Sequence, residues 1–561
     1  MSSFDEVHDW VVVGSGAGSM CSALVMRDAG KSVLVLEKTE LLGGSTARSG
    51  GVIWIPNNPF MRRDGIDDSE EAGLTYLNSV IRDDDDSPGT SPAKREAYVR
   101  EAPKMLDFLM SHGLRFDRVP MWPDYYDERP GGNVPGRTVV AEIFDINELG
   151  PWKDKLRPGF LPMPAKMAEA LQIPMLKRSW SARGALLRIA LRILAGKLTG
   201  KRVVSAGMAL QGRLLQAGLK AGVEVKTGSP VTELIVEGGA VTGVVTMRDG
   251  KPWRVGARLG VLVNAGGFAH NQAMRDRYQP GTSTAWTFAS PGDTGEMIEE
   301  MMRHGAAIGQ MEEMVGHQIT LTPGAETKDF KPGAQRITAA PHAILVDQSG
   351  VRYMNEGGSY MEFCKGMLER NREVPAVPSW GIFDSQYARK YTIDNASLSA
   401  ARIRQWREEG YLRQGETLDE LARDIGVDSA VLKATVARFN DLVARGRDED
   451  FHRGDRAYDR WLGDPTHRPC PTLGAIDKGP FYAIPVYPGD VSTYGGVVTD
   501  VHGRVLREDG AVIPGLYATG VSTAAAMGRY YPGAGCSIGP AMLWGYLSAR
   551  HASGASSQAD R

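Results

Sequence analysis

Trp10-Val11-Val12-Val13-Gly14-Ser15-Gly16-Ala17-Gly18-Ser19, followed by Ser32-Val33-Leu34-Val35-Leu36-Glu37, decides the fold. Trp10–Val13 is a short apolar run bounded by glycine, the pattern of a strand buried on both faces. Met20–Ala29 has helical character and stops at Gly30, and Ser32–Leu36 is a second apolar run. Strand, tight turn, helix and strand in this order predict a right-handed βαβ unit in a parallel sheet. Gly14 permits the turn, Gly16 lets backbone approach a pyrophosphate, and the helix start offers unpaired N–H groups to phosphate. Ser19 stands where the third glycine of the fingerprint is usual, and it is still small. Glu37 closes the second strand, where a carboxylate accepts from a ribose hydroxyl.

Further strands are predicted at Val223–Lys226, Ala257–Asn264 and Gly515–Gly520, with a helix from about Ser537. The nucleotide-binding fold is therefore expected to be assembled from both ends of the chain. Residues 1–310 and 484–561 form one α/β, Rossmann-like domain, and an α+β catalytic domain at 311–483 is inserted between them. Within the insert, Leu418–Ile425 and Ser429–Ala444 read as helices.

A length of 561 residues supports more than one domain. A formal net charge of −2 supplies no basic excess for a nucleic-acid partner. Cys21, Cys364, Cys470 and Cys536 form no CxxC pair, so neither a metal centre nor a disulfide framework is expected. Met1–His8 lacks the pattern of a secretory signal, and no apolar run is long enough to span a bilayer. The expected location is cytoplasmic, with peripheral attachment to the inner face of the cell membrane raised by one segment described below.

After Glu37 comes Lys38-Thr39-Glu40-Leu41-Leu42-Gly43-Gly44-Ser45-Thr46, then Ser49-Gly50-Gly51. This resembles the succinate dehydrogenase and fumarate reductase superfamily, in which the stretch wraps FAD. Val263-Asn264-Ala265-Gly266-Gly267-Phe268, Pro291-Gly292-Asp293-Thr294-Gly295-Glu296 and Gly515-Leu516-Tyr517-Ala518-Thr519-Gly520 are similar to its later flavin motifs. The resemblance implies FAD as cofactor, held by Gly14, Ser15, Gly16, Ala17, Gly18, Glu37, Lys38, Gly43–Thr46, Ser49, Gly50, Gly51, Val231, Ala265, Gly266, Gly267, Asp293, Gly520, Ser537 and Ile538.

Tyr530-Tyr531-Pro532-Gly533-Ala534-Gly535 resembles the 3-ketosteroid Δ1-dehydrogenase pattern. Trp122-Pro123-Asp124-Tyr125-Tyr126 and Asn355-Glu356-Gly357-Gly358-Ser359-Tyr360 are similar to two further motifs of that family. The implied chemistry is proton loss at C2 to Tyr360, assisted by Tyr125, with the Tyr531 hydroxyl and the Gly535 N–H polarising the C3 carbonyl. The implied partners are a 3-ketosteroid and an external electron acceptor. Two other readings stand beside this one: a 3-ketosteroid Δ4-(5α)-dehydrogenase, and a non-catalytic membrane-attached flavoprotein. His317, His342 and His467 have no motif around them and read as structural or solvent-exposed.

Residues 150–204 hold Lys153, Lys155, Arg157, Lys166, Lys177, Arg178, Arg183, Arg188, Arg192, Lys197, Lys201 and Arg202, against the acids Asp154 and Glu169. On a helical wheel, Ser179–Leu198 places Arg188 and Arg192 in a narrow stripe with Ser181, Ala185 and Thr199. Leu186, Leu187, Ile189, Leu191, Ile193, Leu194 and Leu198 cover the rest. Met163–Leu176, broken at Pro174, precedes it, so a helical hairpin is expected. The broad apolar face and the cations, with few acids to pair them, suit an anionic bilayer contacted by residues about 160–200.

Overall fold

The computed structural model describes residues 4–554 except 162, 177, 326, 327, 329 and 395, so Lys177 of the basic segment lies outside the described residues. The opening unit is β1 (Glu6–Val13), α1 (Ala17–Asp28) and β2 (Val33–Leu36). β1 pairs parallel with β2 through Trp10–Val33 to Val13–Leu36. Helix α2 (Pro92–Ser111) packs against this domain, and α3 (Trp180–Thr199) lies in the basic segment. β3 (Glu224–Lys226) extends the sheet beyond β2, and β4 (Lys251–Val263) lies parallel on the other side of β1. The hairpin Val231–Glu237/Ala240–Arg248 pairs antiparallel with β4.

The chain then builds a second, antiparallel sheet from β5 (Met314–Ile319), β6 (Ala343–Val346), β7 (Ser379–Asp384) and β8 (Phe481–Thr493), in the order β5-β8-β7-β6. Helix α4 (Tyr360–Arg370) packs on β5, and the expected helices occur at Leu418–Ile425 and Ser429–Arg445. β8 pairs with β5 out to Thr493. The inserted domain thus continues about ten residues past the expected boundary at 483/484, which cuts through one continuous strand. The chain returns with β9 (Val512–Ala518), parallel to β4, and with α5 (Ile538–Ser553), which packs on α1. The Rossmann-like domain built from both chain ends is therefore present.

The basic segment departs from expectation. Met163–Leu176 yields only a short helix, Met167–Ala170, and a single 3₁₀ turn, Ile173–Met175, so there is no hairpin of two comparable helices. Helix α3 carries its broad leucine face outward, the face the sequence assigns to a bilayer. Ala182, Ala185 and Ile189 are buried, and Arg188 and the half-buried Arg192 pair with the buried Glu169, Arg188 staying exposed. Leu187, Leu191, Leu194 and Leu198 point outward at 61, 55, 54 and 79% exposure. Many of the cations do have acids. Lys155 pairs with Glu40, Arg178 with Asp464 and Arg202 with Asp154. Glu40 and Asp464 lie outside the segment, which is why counting acids within it misled.

Candidate functional site

One cavity of about 1200 Å³ runs from the β1–α1 turn to the junction of the two domains. That exceeds the ~300–1000 Å³ usual for a single small ligand. Gly14–Ala17, Glu37, Lys38, Gly44–Thr46 and Ser49–Gly51 line it, with Val231, Ala265, Gly266, Asp293, Gly520, Ser537 and Ile538.

Its first half is a fitted cradle for an extended dinucleotide. At Gly14, with φ +94°, a Cβ would fall 2.2 Å from the Asn264 carbonyl oxygen, so only glycine turns the chain there. The Glu37 carboxylate accepts from Ser15 Oγ at 2.6 Å and from the Thr39 N–H at 2.9 Å, which aims it while leaving acceptor capacity for a ribose. Ser45 Oγ donates to Asp293 at 2.9 Å, and burial pushes the Asp293 carboxyl up to about 7.

Gly18, Gly43 and Gly267 are corrections to the expected lining, since they stand behind the wall. A Cβ on Gly18 would meet the Ala541 carbonyl at 2.4 Å, so its smallness serves the packing of α1 on α5. Gly43 abuts Gln211, and its N–H donates to Ser15 Oγ at 2.9 Å. Gly267 abuts Thr493.

At the other end the tyrosines converge. The ring centroids of Tyr125, Tyr360 and Tyr531 lie 5.4 to 5.9 Å apart. Tyr125 and Tyr531 face the cavity, whereas their neighbours Tyr126 and Tyr530 are not part of its lining. The Tyr531 hydroxyl is 3.0 Å from Ser537 Oγ. Gly535 has φ +107°, and a Cβ there would sit 2.5 Å from the Trp54 backbone nitrogen. Tyr360 is the first residue of α4, and the turn before it is anchored by Glu356, held by Arg352 at 2.8 Å and Arg453 at 3.2 Å. Burial, then the neighbouring tyrosines, holds the Tyr360 hydroxyl well above its ordinary range. Burial likewise raises Tyr125, and pushes Tyr531 up to about 12.

Among the cavity residues that the sequence reading did not assign to the site are Tyr458, His317 and Trp461. Tyr458 stacks near Tyr125, with centroids 4.3 Å apart, and accepts from Gln335 Nε2 at 3.0 Å. His317 lines the cavity with its ring 5.8 Å from that of Tyr360, and burial lowers it to about 4, so it is neutral. It is thus neither a buried packing residue nor a surface one. Trp461 stacks on Trp122 at 5.1 Å. None stands in a glycine-marked motif, so no signal in the sequence singled them out. His342 and His467 are structural as expected, each bonded to a backbone carbonyl. Phe160, Met163, Met167, Leu171 and Pro174 of the basic segment form an apolar wall of the same cavity.

Residues 9–538 match the family model described as FAD binding domain. The chain is 40% identical to a protein named 3-oxosteroid 1-dehydrogenase from Mycolicibacterium smegmatis, over 97% of this chain and 96% of the other. It is 39% identical to the protein of that name from Mycobacterium tuberculosis H37Rv, over 97 and 98%. Among solved structures it is similar to a 3-ketosteroid Δ1-dehydrogenase from Sterolibacterium denitrificans in complex with 1,4-androstadiene-3,17-dione. The TM-score is 0.89 and the identity 35%, covering 98% of this chain and 100% of that one.

Proposed function

We propose a reaction for a chain that belongs to the FAD-binding-domain flavoproteins, in the group that holds the 3-oxosteroid 1-dehydrogenases: removal of the C1 and C2 hydrogens of a 3-ketosteroid. The chain is an FAD-dependent oxidoreductase. When bound, FAD supplies the acceptor for the hydride that leaves C1.

The observation that carries this reading is the convergence of Tyr125, Tyr360, Tyr531 and Gly535 where the dinucleotide cradle meets an apolar chamber. A C3 carbonyl placed between the Tyr531 hydroxyl and the Gly535 N–H gains two donors as enolate character develops. That makes the C2 hydrogen acidic enough for a phenolic base. Tyr360 takes this proton. Its place at the positive end of α4 favours the phenolate, offsetting part of the burial that disfavours it. Tyr125, packed edge-on to Tyr360, would donate its hydroxyl to that oxygen once the phenolate has formed. The apolar walls exclude water from the developing charge.

The experiment is an anaerobic titration of the purified yellow protein with a 3-ketosteroid. The flavin absorbance should bleach and the product should carry a new 1,2 double bond. With a 5α-saturated 3-ketosteroid, formation of a new 4,5 double bond in place of a 1,2 one, or no bleaching by any 3-ketosteroid, would overturn the proposal.

The site's position also supports attachment to an anionic bilayer. The outward leucines of α3 and Trp180, 82% exposed, lie in the same segment as the apolar wall of the cavity. Lys153, Lys197, Lys201 and Arg202 belong to the same segment, and the last three are exposed. Among the described residues, no helix is long and apolar enough to cross a membrane, so contact would be peripheral. A steroid dissolved in lipid would then reach the cavity without crossing water.

A further inference from the structure

Lys94, on the first turn of α2, is only 3% exposed. A buried ammonium is costly unless a carboxylate neutralises it. Lys94 forms no ion pair among the described residues. Its Nζ donates to the Gly89 carbonyl at 3.0 Å and to Thr499 Oγ1 at 3.0 Å, and it lies 5.5 Å from the Trp544 ring centroid. The acid that acts on it is Asp500, which is itself taken by Arg504 at 2.7 Å. The position compounds the cost, because the N-terminus of a helix is its positive end.

An ammonium has three N–H groups, and protein acceptors take two of them. Lys94 also borders a small cavity of about 30 Å³, which has room for a water or two. The far wall of this cavity is made by Gly520, Val521, Ser537 and Ala541, and those four residues also line the large cavity. The small cavity beside Lys94 and the dinucleotide cradle therefore share these four residues as a common wall. The titratable groups facing the small cavity are Tyr494 and Cys536, both neutral because burial raises them, and no carboxylate lines it.

We propose that Lys94 is a positioning charge for the cofactor, a fixed cation that acts through this wall to favour the reduced, electron-rich flavin over the oxidised one. The inference rests on the FAD assignment and not on the identity of the steroid. Two electrons arrive with the C1 hydride while the C2 proton leaves separately to Tyr360, so the cofactor site gains negative charge during the reaction. A cation held in a low-dielectric wall stabilises that charge without reorganising. It also gives the ammonium the anionic partner that the protein withholds.

Burial lowers Lys94 to about 8, so the charge is present at neutral pH and is lost as pH rises through 8. By reciprocity, a reduced flavin holds the proton on Lys94 to higher pH.

The test is the flavin midpoint potential of the holoenzyme, measured by dye equilibration without steroid. Lys94→Met should retain FAD and shift the ratio of reduced to oxidised flavin at least tenfold toward oxidised at pH 7, a fall of about 30 mV for a two-electron couple. The unaltered protein should show an added steepening of potential against pH just above pH 8, absent in Lys94→Met. Lys94→Arg should keep the neutral-pH potential and lose the break. A Lys94→Met potential equal to that of the unaltered protein would overturn the proposal. Should Lys94→Met fail to hold FAD, the unaltered protein alone decides: no break between pH 7 and 10 is equally fatal.

Discussion

The backbone N–H of Tyr125 donates to the carbonyl oxygen of Pro532 at 2.9 Å, joining two tyrosine motifs that lie about 400 residues apart. The Tyr76 hydroxyl donates to the same carbonyl at 2.6 Å, and Thr138 Oγ1 donates to the Ala534 carbonyl at 3.1 Å. Beside them, Asp124 accepts from Trp54 Nε1 at 2.8 Å and from Arg137 Nη1 at 2.5 Å. The loop that carries Tyr531 and Gly535 is therefore held from outside the cavity.

Asp124→Ala should leave Arg137 with one buried acid, Asp68, and free the Trp54 indole. Breaking a buried pair in this way costs about 3–5 kcal/mol. Denaturant unfolding should show the loss, and turnover should fall with it.

Removal of one oxyanion donor typically costs about 10²–10³ in rate, so Tyr531→Phe should lower turnover by that order. Tyr360→Phe should be at least as damaging. Stopped-flow reduction of the flavin by steroid measures both, and near-normal reduction in Tyr360→Phe would remove it as the base.

Burial raises Tyr360, and a base works only when deprotonated, so the reduction rate should climb from neutral into alkaline pH. Tyr125→Phe should be milder and should move the rising limb to higher pH. A flat profile between pH 7 and 10 would show that another group takes the proton.

Gly14→Ala would place a Cβ 2.2 Å from a backbone oxygen in a φ reserved for glycine. The protein should be isolated with little or no flavin, as read from the ratio of visible to ultraviolet absorbance. Where the unaltered protein is denatured mildly, it should release FAD and not FMN.

Leu187, Leu191 and Leu194 changed together to Ser should abolish co-sedimentation with anionic vesicles while flavin stays bound, because these side chains touch little of the protein. An unaltered protein that ignores such vesicles at low salt would refute bilayer contact.

The cofactor half of the site was legible because glycines and a strand-ending acid mark places where backbone must approach a ligand, as at Gly14 and Glu37. Tyr125, Tyr360 and Tyr531 were legible through motifs. Tyr458 and His317 were not, since they reach the cavity from an unremarkable helix and strand whose local pattern carries no sign of what they face. What holds the other side of α3 against the protein was not legible for a related reason. A helical wheel separates arginine from leucine, but Glu169, with which Arg188 and Arg192 pair, decides which side turns inward. Gly18, Gly43 and Gly267 show the converse, where smallness serves packing and not the ligand.

The pairing of β4 with β9 sets the timing of assembly. Val261 lies opposite Leu516, and the last residues of the cavity wall to be made are Ser537, Ile538 and Ala541. A chain emerging from the ribosome therefore carries its phosphate-binding turn long before it has a complete pocket, and contacts this distant in sequence form slowly. Flavin capture must follow release of nearly the whole polypeptide. A truncation that removes α5 would leave the intact Gly14–Gly18 fingerprint unable to retain the coenzyme.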